Sequence, residues 1–185
     1  MRTYSLPSGN LLHSVKPHDT PVSVIESDST STLVATGGAE GFVKVWDVEG
    51  GYMTHFLKGH GGLVSALKFW GGKVGKWRLA SGSEDCKIRI WDLVKKRYIL
   101  LRWSRVDGSC IAVLENHVSV IRGLDFSRDG ETLISGSRDQ VVNYWDMKSF
   151  KLKTTLPVYE VLSEGRCADV LVYRNSGIPF KFKNG

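Results

Sequence analysis

Short runs of alternating apolar and polar side chains recur along the chain, separated by breaks rich in glycine, serine and aspartate. "LVSALKF" (63–69), "WRLASGS" (77–83) and "KIRIWDL" (87–93) are the clearest. Their valine, isoleucine and aromatic residues suit a pleated, half-buried surface, so they predict β-strands and an all-β fold. Four such segments would make one small antiparallel sheet.

The segments belong to a repeat. Trp-Asp occurs at Trp46-Asp47, Trp91-Asp92 and Trp145-Asp146. "TYSLPSGNLLHSVKPH" aligns without gaps on "VWDVEGGYMTHFLKGH", which puts Tyr4-Ser5 where a further Trp-Asp would fall. The spacings from Tyr4 onward are 42, 45 and 54. Three surplus residues lie in "WGGKVGKW" (70–77) and twelve in "YILLRWSRVDGS" (98–109); without them both longer spacings return to 42. Deleting 98–109 is therefore expected to be neutral or stabilising.

A lone four-stranded sheet cannot bury its faces, and radial stacking of such sheets is a β-propeller. The expected fold is a partial propeller of three full blades with half-blades at its ends. Residues 1–17 would be the last two strands of a preceding blade. Repeats would follow at 18–59, at 60–116 with the 98–109 insertion, and at 117–157. A divergent tail, 158–185, stands where a further blade would start; its strand-like runs are "ADVLVY" and "PFKFK".

Composition adds bounds. A chain of 185 residues with 42% hydrophobic and 24% charged side chains can build a real core. No apolar run approaches the roughly 20 residues of a membrane span, and "MRTYSLPSGNLLHS" has no hydrophobic signal core, so an intracellular location is expected. Cys86, Cys110 and Cys167 fit neither a disulfide framework nor a zinc knuckle and read as free thiols. The formal charge of +6 favours acidic partners such as RNA, or a solvated basic surface. Its small clusters are Lys95, Lys96, Arg97 and Lys148, Lys151, Lys153.

In each repeat a histidine, a hydroxyl, an acid and a tryptophan recur in one order: His18, Thr36, Glu40, Trp46; His60, Ser81, Asp85, Trp91; His117, Ser135, Asp139, Trp145. A hydrolase triad needs a histidine oriented by an acid and touching a hydroxyl, but needs it once, and no Gly-x-Ser-x-Gly elbow is present. Metal ligation is not expected either, because each histidine lies about 20 residues from its acid with no close His or Cys pair. The pattern resembles the structural tetrad of the WD-repeat family. There the acid accepts from the histidine, the histidine bonds the hydroxyl and the hydroxyl bonds the indole. Glu40 departs from that family's aspartate, and its extra methylene is expected to loosen the first tetrad. In that family the residue before the acid projects from the top face, which nominates Ala39, Glu84 and Arg138 as contact residues.

The text between the motifs is more specific. "DSTSTLVATGGAEGFVKVWD", "HFLKGHGGLVSALKF", "HVSVIRGLDFS" and "LKTTLPVYE" resemble the early repeats of the transducin-beta-like subunits of the UTP-B subcomplex of the small-subunit processome. The resemblance spans roughly residues 10 to 160. It implies a non-enzymatic nucleolar scaffold for pre-18S ribosomal RNA processing. Its partners would be other UTP-B proteins, with pre-ribosomal RNA or the small nucleolar ribonucleoprotein reached indirectly. No membrane, small-molecule substrate or cofactor is implied. Members of that family are much longer, so a fragment or a mispredicted gene product is expected. The rival is a substrate receptor of a cullin-type ubiquitin ligase, which would carry arginine two positions after the Trp-Asp aspartate. Glu49, Val94 and Lys148 stand there instead. A G-protein beta-type subunit would want an N-terminal coiled coil, and no heptad precedes Tyr4.

Overall fold

The computed structural model describes residues 1–71, 77–93 and 109–158, and the backbone of 171–173 and 179–181. Its described elements are strands. Three four-stranded antiparallel sheets follow one another along the chain, each a meander. The first holds β3 (Val22–Ser27), β4 (Leu33–Gly38), β5 (Val43–Asp47) and β6 (Met53–Leu57). The second holds β7 (Val64–Gly71), β8 (Trp77–Ser83), β9 (Lys87–Asp92) and β10 (Ser109–Glu115). The third holds β11 (Ile121–Phe126), β12 (Thr132–Ser137), β13 (Val141–Asp146) and β14 (Lys151–Pro157). Two-stranded sheets flank them, β1 (Arg2–Tyr4) with β2 (Leu11–Ser14), and β15 (Leu171–Tyr173) with β16 (Pro179–Lys181). The architecture is a partial propeller.

The surplus of twelve residues needs one correction at its edge. Ser109 pairs with Asp92 as the first residue of β10 and is not part of an insert. Spacing counts a surplus but cannot say at which residue the ladder resumes. Residues 98–108 lie outside the described residues, as do Lys95, Lys96, Arg97, Val94 and Cys167.

Two cores hold the sheets together. Leu33, Ala35, Val43, Val45 and Leu57 of the first sheet bury against Val64, Leu67, Phe69, Leu79 and Trp91 of the second. Ala66, Ala80, Ile88, Ile90 and Leu114 on the other side of that sheet bury against Ile121, Leu124, Leu133 and Trp145 of the third. The second sheet is thus apolar on both faces, which is why β8 is buried almost throughout.

A recurrent bulge joins neighbours. The register slips between Val22 and Val24, between Val64 and Ala66, and between Ile121 and Gly123. The extra residue is Ser23 in the first sheet and Ser65 in the second. Ser23 Oγ donates to Gly37 O of its own sheet and to Val64 O of the next, and Ser65 Oγ does the same to Gly82 O and Ile121 O. A bulge re-aims a side chain off the pleat, here into the seam. Arg122 holds the third position and is exposed.

Further along the same inner strands, Lys68 Nζ lies 3.3 Å from Glu26 Oε1 and 3.5 Å from Asp125 Oδ1, so one ammonium ties all three. Burial works against that charge, but the two carboxylates outweigh it and hold the ammonium above its ordinary range. Being half-exposed, each pair adds at most about 1 kcal/mol.

The turn after each acid needs a left-handed residue. Gly41 supplies it at φ 75°, but Cys86 and Gln140 adopt φ 63° with a Cβ. That conformation costs about 1–2 kcal/mol per non-glycine residue, against about 0.5–1 kcal/mol of chain entropy for glycine. Cys86→Gly is therefore expected to stabilise the chain by about 0.5–1 kcal/mol, read as a rise in the urea midpoint.

Candidate functional site

The three histidines precede the inner strand of their sheet, the hydroxyls sit on the second strand, the acids in the turn after it and the tryptophans on the third. The meander brings all four together. In the second sheet His60 Nδ1 lies 2.9 Å from Asp85 Oδ2, His60 Nε2 is 2.7 Å from Ser81 Oγ, and Trp91 Nε1 donates to Ser81 Oγ at 2.7 Å. In the third the corresponding distances are 2.8 Å for His117 and Asp139, 2.8 Å for His117 and Ser135, and 2.8 Å for Trp145 and Ser135. In the first they are 2.6 Å for His18 and Glu40, 3.0 Å for His18 and Thr36 and 3.0 Å for Trp46 and Thr36.

One protonation pattern satisfies every member. The neutral imidazole donates from Nδ1 to the carboxylate and accepts the hydroxyl proton at Nε2, while the hydroxyl oxygen accepts from the indole. Ser81 and Ser135 are fully buried, and both sides of each hydroxyl are committed. A nucleophile needs an open approach and a lone pair aimed at substrate. Burial closes that approach to these two hydroxyls.

The aspartates are anchored further than spacing discloses. Asp85 accepts from the backbone N–H of Gly61 and of Lys87, and Asp139 from those of Val118 and Val141. Glu40 reaches past those amides and takes the Thr20 hydroxyl at 3.0 Å and the Lys44 ammonium at 3.6 Å. Its extra methylene does not lengthen the bond to histidine, which is the shortest of the three. The other two bonds of the first tetrad, both 3.0 Å, are the longest of the three sheets, and the longer arm takes side-chain donors where the aspartates take backbone ones.

Burial raises the proton affinity of Asp85, Asp139 and Glu40, but the hydrogen bonds each accepts, with the Lys44 ammonium beside Glu40, outweigh it and hold all three below the ordinary carboxyl range. Burial lowers that of His60, against the pull of Asp85 and with help from the Arg89 charge. Both directions make the unfolded chain the better proton binder, so stability rises with pH and is lost on acidification. The loss should begin as pH drops through the ordinary imidazole value of 6.5 and steepen through the carboxyl values of 4.5 and 3.8. Melting temperatures taken from pH 8 to pH 4 check this; a curve that rises on acidification would contradict it.

The third tetrad has an addition that spacing does not reveal. Buried Asn143 directs Nδ2 at His117 Nε2 at 3.1 Å, and its Oδ1 accepts from Thr155 at 2.7 Å. The matching residues are Lys44, whose ammonium donates to Pro17 O at 2.7 Å, and Arg89. Ala39, Glu84 and Arg138 are all exposed beside their acids. Among the described residues no group of three His, Cys, Asp or Glu side chains is placed to hold a metal ion.

A four-membered relay repeated on three meandering sheets has a counterpart among known families. The model of the WD domain, G-beta repeat, matches residues 9–47, 51–92 and 108–146. The chain belongs to the WD40 repeat family. Transducin beta-like protein 3 of Rattus norvegicus is 38% identical over 168 residues, which is 88% of this chain and 19% of the relative. U3 small nucleolar RNA-associated protein 13 of Saccharomyces cerevisiae is 39% identical over 167 residues, 85% of this chain and 19% of the relative. Nuclear distribution protein nudF of Aspergillus niger is 29% identical over 181 residues, 80% of this chain and 40% of the relative. The WD40 segment thus spans about a fifth of the length of the first two relatives.

Proposed function

We propose that this WD40 chain is a non-catalytic scaffold for protein assembly in the small-subunit processome, at the nucleolus, in pre-18S ribosomal RNA processing. The observation that carries the reading is its similarity to transducin beta-like protein 3 and to a relative named for its association with U3 small nucleolar RNA, along most of this chain. The tetrads act as structural clamps in this reading, since they absorb the hydroxyl, imidazole and carboxylate groups that chemistry would need. Binding falls to loops held on a rigid frame, with Ala39, Glu84 and Arg138 as contact positions. Other UTP-B proteins are the direct partners, and RNA is reached through them.

Affinity purification of the tagged chain from cells, with and without nuclease, tests this. Recovery of UTP-B proteins that survives nuclease is expected, and Glu84→Lys with Arg138→Glu should reduce it without lowering the melting temperature. Recovery of a cullin adaptor with no pre-ribosomal protein would overturn the reading, and nuclease-sensitive recovery would move the contact to RNA.

A further inference from the structure

Three sheets built on one plan permit a comparison within the molecule. What all three share is what the fold requires; what one sheet alone carries is not required by it. At one corner of the first sheet the departures accumulate. Phe42, which lines up opposite Lys58, corresponds to Lys87 in the second sheet and Val141 in the third; Phe56 corresponds to Val113 and Thr155, and Lys58 to Glu115 and Pro157. In the second sheet the same positions are closed by an ion pair, Lys87 to Glu115 at 2.6 Å. In the first they are open. Phe42 and Phe56 stand edge to face, with ring centroids 5.1 Å apart, and line a cavity of about 240 Å³ together with Met53, Lys44, Glu40 and Asp19.

The volume and the charges select the guest. Drug-sized ligands occupy roughly 300–1,000 Å³, so this space suits one apolar side chain of a peptide better than a free small molecule. Of its two carboxylates, Glu40 is held by His18, Thr20 and Lys44, while Asp19 pairs with Lys16 at 2.9 Å in solvent. Lys58 is exposed, and among the described residues its ammonium touches the faces of Phe56 at 4.8 Å and Phe42 at 5.8 Å and enters no ion pair. A cation parked on aromatic faces at the rim of a cavity whose apolar side is Phe42, Phe56 and Met53 is free to pair with an incoming carboxylate.

We propose that this corner of the first sheet is a peptide-docking site whose ligand presents one large apolar side chain next to an aspartate or glutamate. The apolar group fills the space between Phe42, Phe56 and Met53, and the acid pairs with Lys58. The site stands independently of the processome reading, because it rests on the cavity and the repeat comparison alone.

The second sheet supplies the control. Phe42→Lys, Phe56→Val and Lys58→Glu together rebuild at this corner the ion pair that the second sheet already accommodates. A random heptapeptide phage library is panned on the full 185-residue chain and on this triple variant, with thermal melts to verify folding. The expected result is enrichment of peptides with an apolar residue adjacent to an acid. Their affinity should fall about 10-fold or more in the triple variant, the worth of one buried apolar side chain. Should the triple variant fail to fold, Lys58→Glu alone at its exposed position should turn the selected residue beside the apolar anchor from acidic to basic. Equal enrichment on chain and variants would overturn the assignment. So would selection of lysine or arginine peptides by the unaltered chain, since Lys58 would then be a stand-in for a cationic guest.

Discussion

Trp91→Ala should cost about 3–5 kcal/mol, the range for removing a large buried aromatic and a large share of the about 5–15 kcal/mol that holds a domain folded. Among the described residues Trp91 is the largest fully buried side chain, it packs in the core between the first and second sheets, and its indole donates to Ser81 Oγ. Its loss opens a cavity and leaves a buried hydroxyl oxygen short of a donor, two penalties in one substitution. Far-ultraviolet circular dichroism with urea titration reads the effect. Trp91→Phe should be milder, because it keeps most of the volume and loses the hydrogen bond. A Trp91→Ala chain as stable as the parent would mean that this tetrad does not hold the second sheet together.

The glycines one residue after the tetrad hydroxyls should split into two classes. A Cβ added at Gly82 would lie 2.4 Å from Ile121 Cγ2 and 2.7 Å from Ile121 Cβ, and one at Gly37 would lie 2.7 Å from Val64 Cγ1. A Cβ at Gly136 meets nothing within 4 Å. Gly82→Ala must therefore push the second and third sheets apart or distort Ile121, an overpacking cost of about 1–3 kcal/mol. Gly136→Ala carries no such penalty and should gain about 0.5–1 kcal/mol by removing a glycine from a strand interior. Calorimetric melts of the two variants side by side decide the matter. A cost at Gly136 equal to that at Gly82 would show that backbone freedom, not the neighbouring sheet, is what both positions need.

This contrast marks where sequence reading stops. Gly37, Gly82 and Gly136 occupy one position of the repeat and look identical in the text, because their difference lies in a neighbour about 30 to 40 residues further along. The tetrads were legible for the opposite reason. Hydroxyl, acid and tryptophan keep fixed offsets of four and six residues in all three repeats, since a meander fixes those distances along the chain itself. Ser23 and Ser65 also recur, 42 residues apart, yet a serine in a strand is too ordinary to signal that its hydroxyl closes a seam. Glu40 was legible as a departure but not in its outcome, because the donors it recruits, Thr20 and Lys44, are common residues whose reach only the folded backbone defines. Phe42 and Phe56 meet across two strands 14 residues apart, and neither carries a motif.

The arrangement of the two cores sets how disturbances travel. They share no residue, and every apolar contact that either makes across a seam ends on the second sheet. Non-neighbouring units in a linear array respond independently, while neighbours that share an interface do not. Energetic changes in the first and third sheets should therefore add, and those in the first and second should not. The middle sheet is the thermodynamic junction of the molecule: a ligand gripped at Phe42 and Phe56 can influence the far sheet only through it, by way of the packing of Val64, Leu67 and Leu79 or of the Lys68 ammonium.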